Sequence, residues 1–231
     1  ALGFEWAGLS KPVLFCDIEP WSRKVLKKHW PNVPIASDVK ELASDPERLI
    51  PQTDPRNTIL TAGYPCQPFS VAGNQKGAED NRHIWPYILE IVAHKRPAWC
   101  VFENVYGHIG LGLDQVLFDL EAEGYASRTF IVPACGVDAP QRRDRLWIVA
   151  HSDSQRGRLR NAEWQNAEDA GQPSGNQRDN ARGMGFWDVE PSVGRVAHGI
   201  PKRVDRLRGL GNAIVPQIAQ RIGETILQNN Q

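Results

Sequence analysis

Three short apolar runs end on polar residues, and this pattern restricts the fold more than any other feature. "VLFCD" (13–17), "TILTAGYP" (58–65) and "WCVFEN" (99–104) are too short for helices and rich in β-branched or aromatic residues. They read as buried strands. Helical patterns lie between them. "PWSRKVLKKHW" carries Pro20 in its first turn, and apolar residues fall at 84, 85, 88, 89 and 92. Leu113, Val116, Leu117 and Leu120 mark a further helix that Gly124 stops. "SRTFIV" and "RLWIVA" are two later strands, and Val215, Ile218, Ala219, Ile222 and Ile226 line the face of a last helix behind Pro216. Strands alternating with helices predict an α/β fold with a mainly parallel sheet covered on both faces. Ligands of such sheets bind at the carboxyl ends of the strands. The residues expected there are Asp17, Cys66, and Glu103 with Asn104, joined by Asp38 after the short run "PIAS".

Cysteine usage and charge narrow the class. The four cysteines are far apart and form no CxxC pair, which argues against zinc and predicts no metal site. With no secretory signal in the sequence, they read as reduced thiols of a cytosolic protein. Zero formal net charge argues mildly against a nucleic-acid binder, yet Arg195 to Arg208 holds five Lys or Arg against one Asp. Residues 152–194 carry only three Leu, Ile or Val and hold five Arg against seven acids, so they read as a long polar loop or small irregular insert.

The chemistry centres on "GYPCQPFS" (63–70). Pro65 and Pro68 stiffen a non-helical loop around Cys66. A free cysteine is commonly a small buried hydrophobe, but this one sits in a loop at a strand's carboxyl end. There a lowered pKa would make it a nucleophile. A cysteine hydrolase would need a histidine; His83 and His108 exist, but nothing orders them around Cys66. Glu103 is either a strand cap or a partly desolvated proton donor. Cysteine with a proton-donating acid suits conjugate addition to an electron-poor ring. In "QRRDR" (141–145), an extended backbone would put Gln141, Arg143 and Arg145 on one face as donors to a carbonyl or phosphate; a solvated edge strand is the plain alternative. Asp17 and Asp38 are turn residues or, at early strand ends, ribose-type ligands.

In this order, the pieces resemble the cytosine-5 DNA methyltransferases. "PCQPFS" is similar to that family's nucleophile loop, "ENV" (103–105) to its proton-donor motif, and "QRRDR" to its Gln-x-Arg-x-Arg motif. "FCDIEPWSRKVLKKHWP" is similar to its ribose-binding segment and "RLRGLGNAIVPQIA" (206–219) to its closing motif. The resemblance implies a Rossmann-like, S-adenosyl-methionine-dependent methyltransferase fold. It also implies base flipping from duplex DNA. By that resemblance Cys66, Glu103, Arg143 and Arg145 are catalytic. Asp17, Ile18, Asp38, Val39, Pro65, Asn212 and Ala213 hold S-adenosyl-methionine. Gln67, Ser70, Asn104 and Gln141 meet the substrate. It implies a catalytic core over 1–151, a recognition insert over 152–194, and a segment over 195–231 that returns to the core. A restriction endonuclease acting on the same DNA site is an implied partner.

Two features depart from the family. Its Gly-rich first motif is absent, and the chain opens at what resembles the following helix, "ALGFEWAGL", so the resemblance implies a strand and turn upstream of Ala1. The recognition region is short and slightly acidic. Two other functions stay open on the sequence: the same chemistry on transfer RNA, and an inactive nucleic-acid-binding module.

Overall fold

The computed structural model describes residues 1–65, 84–152 and 213–229. Seven helices and six strands follow in chain order among them: α1 (Leu2–Trp6), β1 (Phe15–Cys16), α2 (Pro20–His29), β2 (Ile35–Ala36), α3 (Val39–Ser44), α4 (Pro46–Leu49), β3 (Ile59–Gly63), α5 (Trp85–Lys95), β4 (Trp99–Val105), α6 (Leu113–Ala122), β5 (Tyr125–Pro133), β6 (Asp144–Ser152) and α7 (Pro216–Asn229). Local chemistry places their ends. Asp38 and Asp45 cap α3 and α4, accepting from the backbone N–H of Lys40 and Arg48. Proline opens α2, α4 and α5, where its missing N–H has no helical role. α5 stops at Arg96, in the left-handed region, and Gly124 takes φ +77 just beyond α6.

β3, β4, β6 and β5 form one sheet in that order. β3 runs parallel to β4, while β6 runs antiparallel to both β4 and β5. Three of the four strands therefore point one way and β6 is reversed, wedged between its two sequence predecessors. β1 and β2 pair parallel as a separate two-stranded sheet. Of the "VLFCD" run, only Phe15 and Cys16 are strand, because β2 offers just two partners, Ile35 and Ala36.

Alternation along β4 divides the core. Cys100 and Phe102 face a cluster with Trp85, Ile88 and Val92 of α5 and Val116 and Leu120 of α6. Val101 faces the other way, toward Phe4 of α1, Trp147 of β6, and Ile218, Ala219 and Ile226 of α7. Helices thus cover both faces of the sheet. Phe102 and Leu120 are fully enclosed, and such side chains each contribute roughly 1.5–3 kcal/mol. A smaller cluster of Leu42, Ala43 and Ile91 fixes α3 on α5, with Leu14, Ala36 and Leu60 against it.

α1 and α7 cross through glycine. A Cβ on Gly3 would meet the Pro216 carbonyl and lie 2.8 Å from Ala219 Cβ; one on Gly223 would lie 2.9 Å from Ala7 Cβ. The crossing depends on the absence of side chains at both positions.

Candidate active site

Parallel pairing carries β3 and β4 to a common end, where Gly63 stands opposite Glu103. Across the sheet, Val105 of β4 pairs with Arg145 of β6. This register brings Arg145 Nε to 2.8 Å from Glu103 Oε1, with the side chains 18% and 14% exposed. Gly63 makes room for the carboxylate: a Cβ there would lie 3.2 Å from Glu103 Oε2. Burial raises the Glu103 carboxyl above its ordinary pKa, while Arg145 and then Arg143 pull it down. The acid form is thereby brought closer to neutral pH, as a proton donor requires.

Arg143 does not follow the extended geometry expected of "QRRDR". Its φ is +38, and the strand begins only at Asp144. The face-sharing of Gln141, Arg143 and Arg145 therefore fails. The left-handed turn instead sends Arg143 Nη2 to the carbonyl of Ala213, 2.7 Å away, and ties this loop to the segment entering α7. Desolvation lowers the Arg143 pKa, with the like charge of Arg145 adding to it. Arg142 pairs with Asp144, and Gln141 is exposed beside them.

Asn104 is 3% exposed. Its Oδ1 accepts from the Val105 N–H at 2.8 Å, and its Nδ2 has no hydrogen-bond partner among the described residues. It lies next to Glu103 on β4, buried in the core. Val39 is half-buried, packed on two neighbouring core clusters.

Of the residues expected to hold the cofactor, Asp17 and Ile18 follow β1, and Asp38 follows β2. Asp17 Oδ1 accepts from the Glu19 N–H, and Asp38 Oδ1 caps α3, so among the described residues the second oxygen of each carboxylate takes no hydrogen bond. The two acids lie close enough to raise the Cys16 thiol, which burial and they together push up to about 11. Arg23 Nη1 donates to the carbonyls of Asp17 and Ile18, both at 2.8 Å, and holds the turn. Ile18 is 69% exposed beside it. Pro65 is exposed at the end of β3 and Ala213 at the entry to α7. Cys66, Gln67, Ser70 and Asn212 lie outside the described residues. Sequence reasoning missed Gly63 and Arg23 as site residues; the position of Gly63 opposite the strand-end acid, readable once the parallel pairing is assumed, was the available signal.

Residues 1–187 match the family described as C-5 cytosine-specific DNA methylase. Type II methyltransferase M2.BsuMI of Bacillus subtilis is 31% identical over 161 residues, covering 64% of this chain and 38% of that protein. Type II methyltransferase M.NgoBI of Neisseria gonorrhoeae is 32% identical over 158 residues, covering 66% and 47%. The chain thus spans less than half the length of these relatives. Among solved structures, Dnmt2 methyltransferase of S. pombe superposes with a TM-score of 0.55 at 22% identity, over 65% of this chain and 46% of that one. A putative DNA modification methyltransferase from an E. coli prophage gives 0.51 at 19% identity, over 68% and 44%. These two likenesses speak for the fold, that of the methyltransferases.

Proposed function

Because the chain belongs to the C-5 cytosine-specific DNA methylase family, we propose that it methylates C5 of cytosine in duplex DNA, with S-adenosyl-methionine as methyl donor. The observation that carries this reading is the largely buried Glu103–Arg145 pair at the end of β4, beside the end of β3, three residues before Cys66 in the sequence. The Cys66 thiolate adds to C6 of the flipped base. As the thiolate adds, the ring electrons shift toward N3, which Glu103 protonates in its acid form, and the C4–C5 enamine that results has a nucleophilic C5. Arg145 orients Glu103 and offers its other N–H groups to the base carbonyl. S-adenosyl-methionine, when bound, supplies the methyl group to C5. Loss of the C5 proton to solvent then expels the Cys66 thiolate and re-forms the C5–C6 double bond, and the N3 proton returns to Glu103.

The residues assigned to the cofactor fit it chemically. Asp17 and Asp38 each keep one carboxylate oxygen for hydroxyl or amino donors, and exposed Ile18 offers an apolar cover for a purine. Arg143 connects the base-side loop to Ala213, next to Asn212 of the closing motif. The family match favours DNA over RNA, and a restriction endonuclease acting on the same site is the partner this reading proposes. No described helix is long and apolar enough to cross a membrane.

A duplex with 5-fluorocytosine tests the reading, because fluorine cannot leave as a proton and the adduct is trapped. With S-adenosyl-methionine, the chain is expected to form a covalent complex through Cys66, and Cys66→Ala none. Transfer RNA run in parallel decides the substrate. An adduct with Cys66→Ala, or methylation of transfer RNA in preference to duplex DNA, overturns the reading.

A further inference from the structure

His108 is 2% exposed and takes no part in the chemistry above. One of its ring nitrogens, Nε2, lies 3.0 Å from the Tyr64 hydroxyl. The two residues stand at informative places. Tyr64 directly follows Gly63, the last residue of β3, and comes two residues before Cys66. His108 lies in the 3-10 turn Tyr106–Gly110, directly after β4 and five residues past Glu103. The parallel ladder between β3 and β4 ends at the pair Gly63 and Glu103. Among the described residues the ladder goes no further, and the Tyr64–His108 hydrogen bond continues the link through side chains.

Packing locks the pair in place. The Tyr64 ring meets His108 edge-on at 5.4 Å, Trp85 at 5.4 Å and Phe102 at 6.3 Å. Trp85 opens α5 and is itself held by a hydrogen bond from Nε1 to Asp119, at 2.8 Å. A purely apolar core would need neither the hydroxyl nor the imidazole. A buried polar pair instead favours one arrangement, because separating its members disturbs a hydrogen bond between two desolvated groups. Burial keeps His108 below its ordinary pKa and so favours the neutral ring.

We propose that Tyr64 and His108 form a positioning pair that sets the chain leading to Cys66 against the acid at Glu103. The pair touches neither base nor methyl donor; it acts through the residues on either side. This rests on the methyl-transfer reading, in which nucleophile and proton donor must meet one ring together. Misplacing reacting groups by about 1 Å can cost about 10²-fold in rate.

The test uses the full chain with Tyr64→Phe, His108→Leu, His108→Gln and the Tyr64→Phe/His108→Leu double variant. Gln places an amide near the position of Nε2 and keeps the hydrogen bond. Methyl transfer to duplex DNA gives kcat and KM. The rate of Cys66 alkylation by iodoacetamide, followed by mass spectrometry, reports its placement without turnover. The expected result is a fall in kcat of about tenfold to 10²-fold in Tyr64→Phe and His108→Leu, with KM unchanged. The double variant is expected to be no worse than either single one, and His108→Gln to recover most of the rate. Cys66 alkylation is expected to change by about twofold or more in the same variants and not in His108→Gln. Wild-type kcat and alkylation rate in Tyr64→Phe overturn the proposal, as does a His108→Gln protein no better than His108→Leu. If the unaltered chain transfers no methyl group, the methyl-transfer reading of this chain fails and the alkylation rates alone decide the pair. If His108→Leu does not fold, Tyr64→Phe decides it.

Discussion

Arg145 Nε stands 2.8 Å from Glu103 Oε1, in a position from which water is largely excluded. The pair sits where β4 and β6 meet in antiparallel register, so the acid and its partner come from strands that are distant in sequence. The arginine does not fully offset the burial, and the carboxyl remains raised. Charged Glu103 is therefore a cost to the folded state.

That cost has a pH signature. The folded-state pKa of Glu103 lies above the ordinary 4.5, so the folded chain binds the extra proton and stability falls as pH rises through this window. Glu103→Gln is expected to melt close to the unaltered chain below pH 4.5. Its relative stability should rise with pH and level off above the raised pKa. Methyl transfer is expected to fall by roughly 10²–10⁴-fold. Melting curves across pH, beside turnover at neutral pH, check both; a Glu103→Gln protein that loses stability as pH rises contradicts the burial argument.

Arg145→Lys keeps the charge and loses the planar fork. It is expected to lower methyl transfer much more than duplex affinity, measured by steady-state kinetics and by titration of a labelled duplex. Equal losses in both would make Arg145 a phosphate contact.

Arg143 separates backbone strain from side-chain contact. Its positive φ disfavours any residue with a Cβ, while its guanidinium holds Ala213. Arg143→Ala loses the hydrogen bond and keeps the strain. Arg143→Gly loses the hydrogen bond and relieves the strain. The glycine variant is expected to be the more stable of the two by about 1 kcal/mol, read from denaturant midpoints.

The glycine crossing should resist even a methyl group. Gly3→Ala and Gly223→Ala each force the α1 and α7 backbones apart. Each is expected to lower stability by about 1–3 kcal/mol. Gly107→Ala, whose Cβ would meet nothing within 4 Å, is the control expected to melt with the unaltered chain.

Thiol chemistry should separate the cysteines. Cys100 is fully buried and its thiol is pushed far up by desolvation, and Cys16 is raised to about 11. Alkylation at mildly alkaline pH is expected to spare Cys100 until the fold opens and to reach Cys16 slowly. Peptide mass spectrometry with and without denaturant reads this out. Prompt labelling of Cys100 in the native chain would contradict its place in the core.

Much of this was legible from apolar spacing alone. The β3, β4, α5 and α6 patterns gave these elements within a few residues, because each buries one periodic face. The spacing did not give strand direction. "RLWIVA" carries the same alternation whichever way it runs, so the reversal of β6 has no local signature. The short α3 and α4 do have one: Asp38 with Glu41, and Asp45 before Pro46, are start signals, though Asp38 fits a turn or a ligand equally well. The left-handed turn at Arg143 had none, since arginine does not favour it and only the contact with Ala213 explains it. In the site, Glu103 and Arg145 could be picked out as residue types, but their pairing depends on a β4–β6 register that no single stretch encodes.

The α1–α7 crossing also sets an order of events during synthesis. Phe4 and Ala7 find Ile218 and Gly223 only after roughly 210 further residues have been made. At ribosomal speeds of about 5–20 residues per second, α1 waits about 10–40 s for its partner. Throughout that interval the nascent chain shows an apolar face that the finished protein hides. Any translation product that stops short of α7 carries the same exposed mark, which chaperones and proteases read.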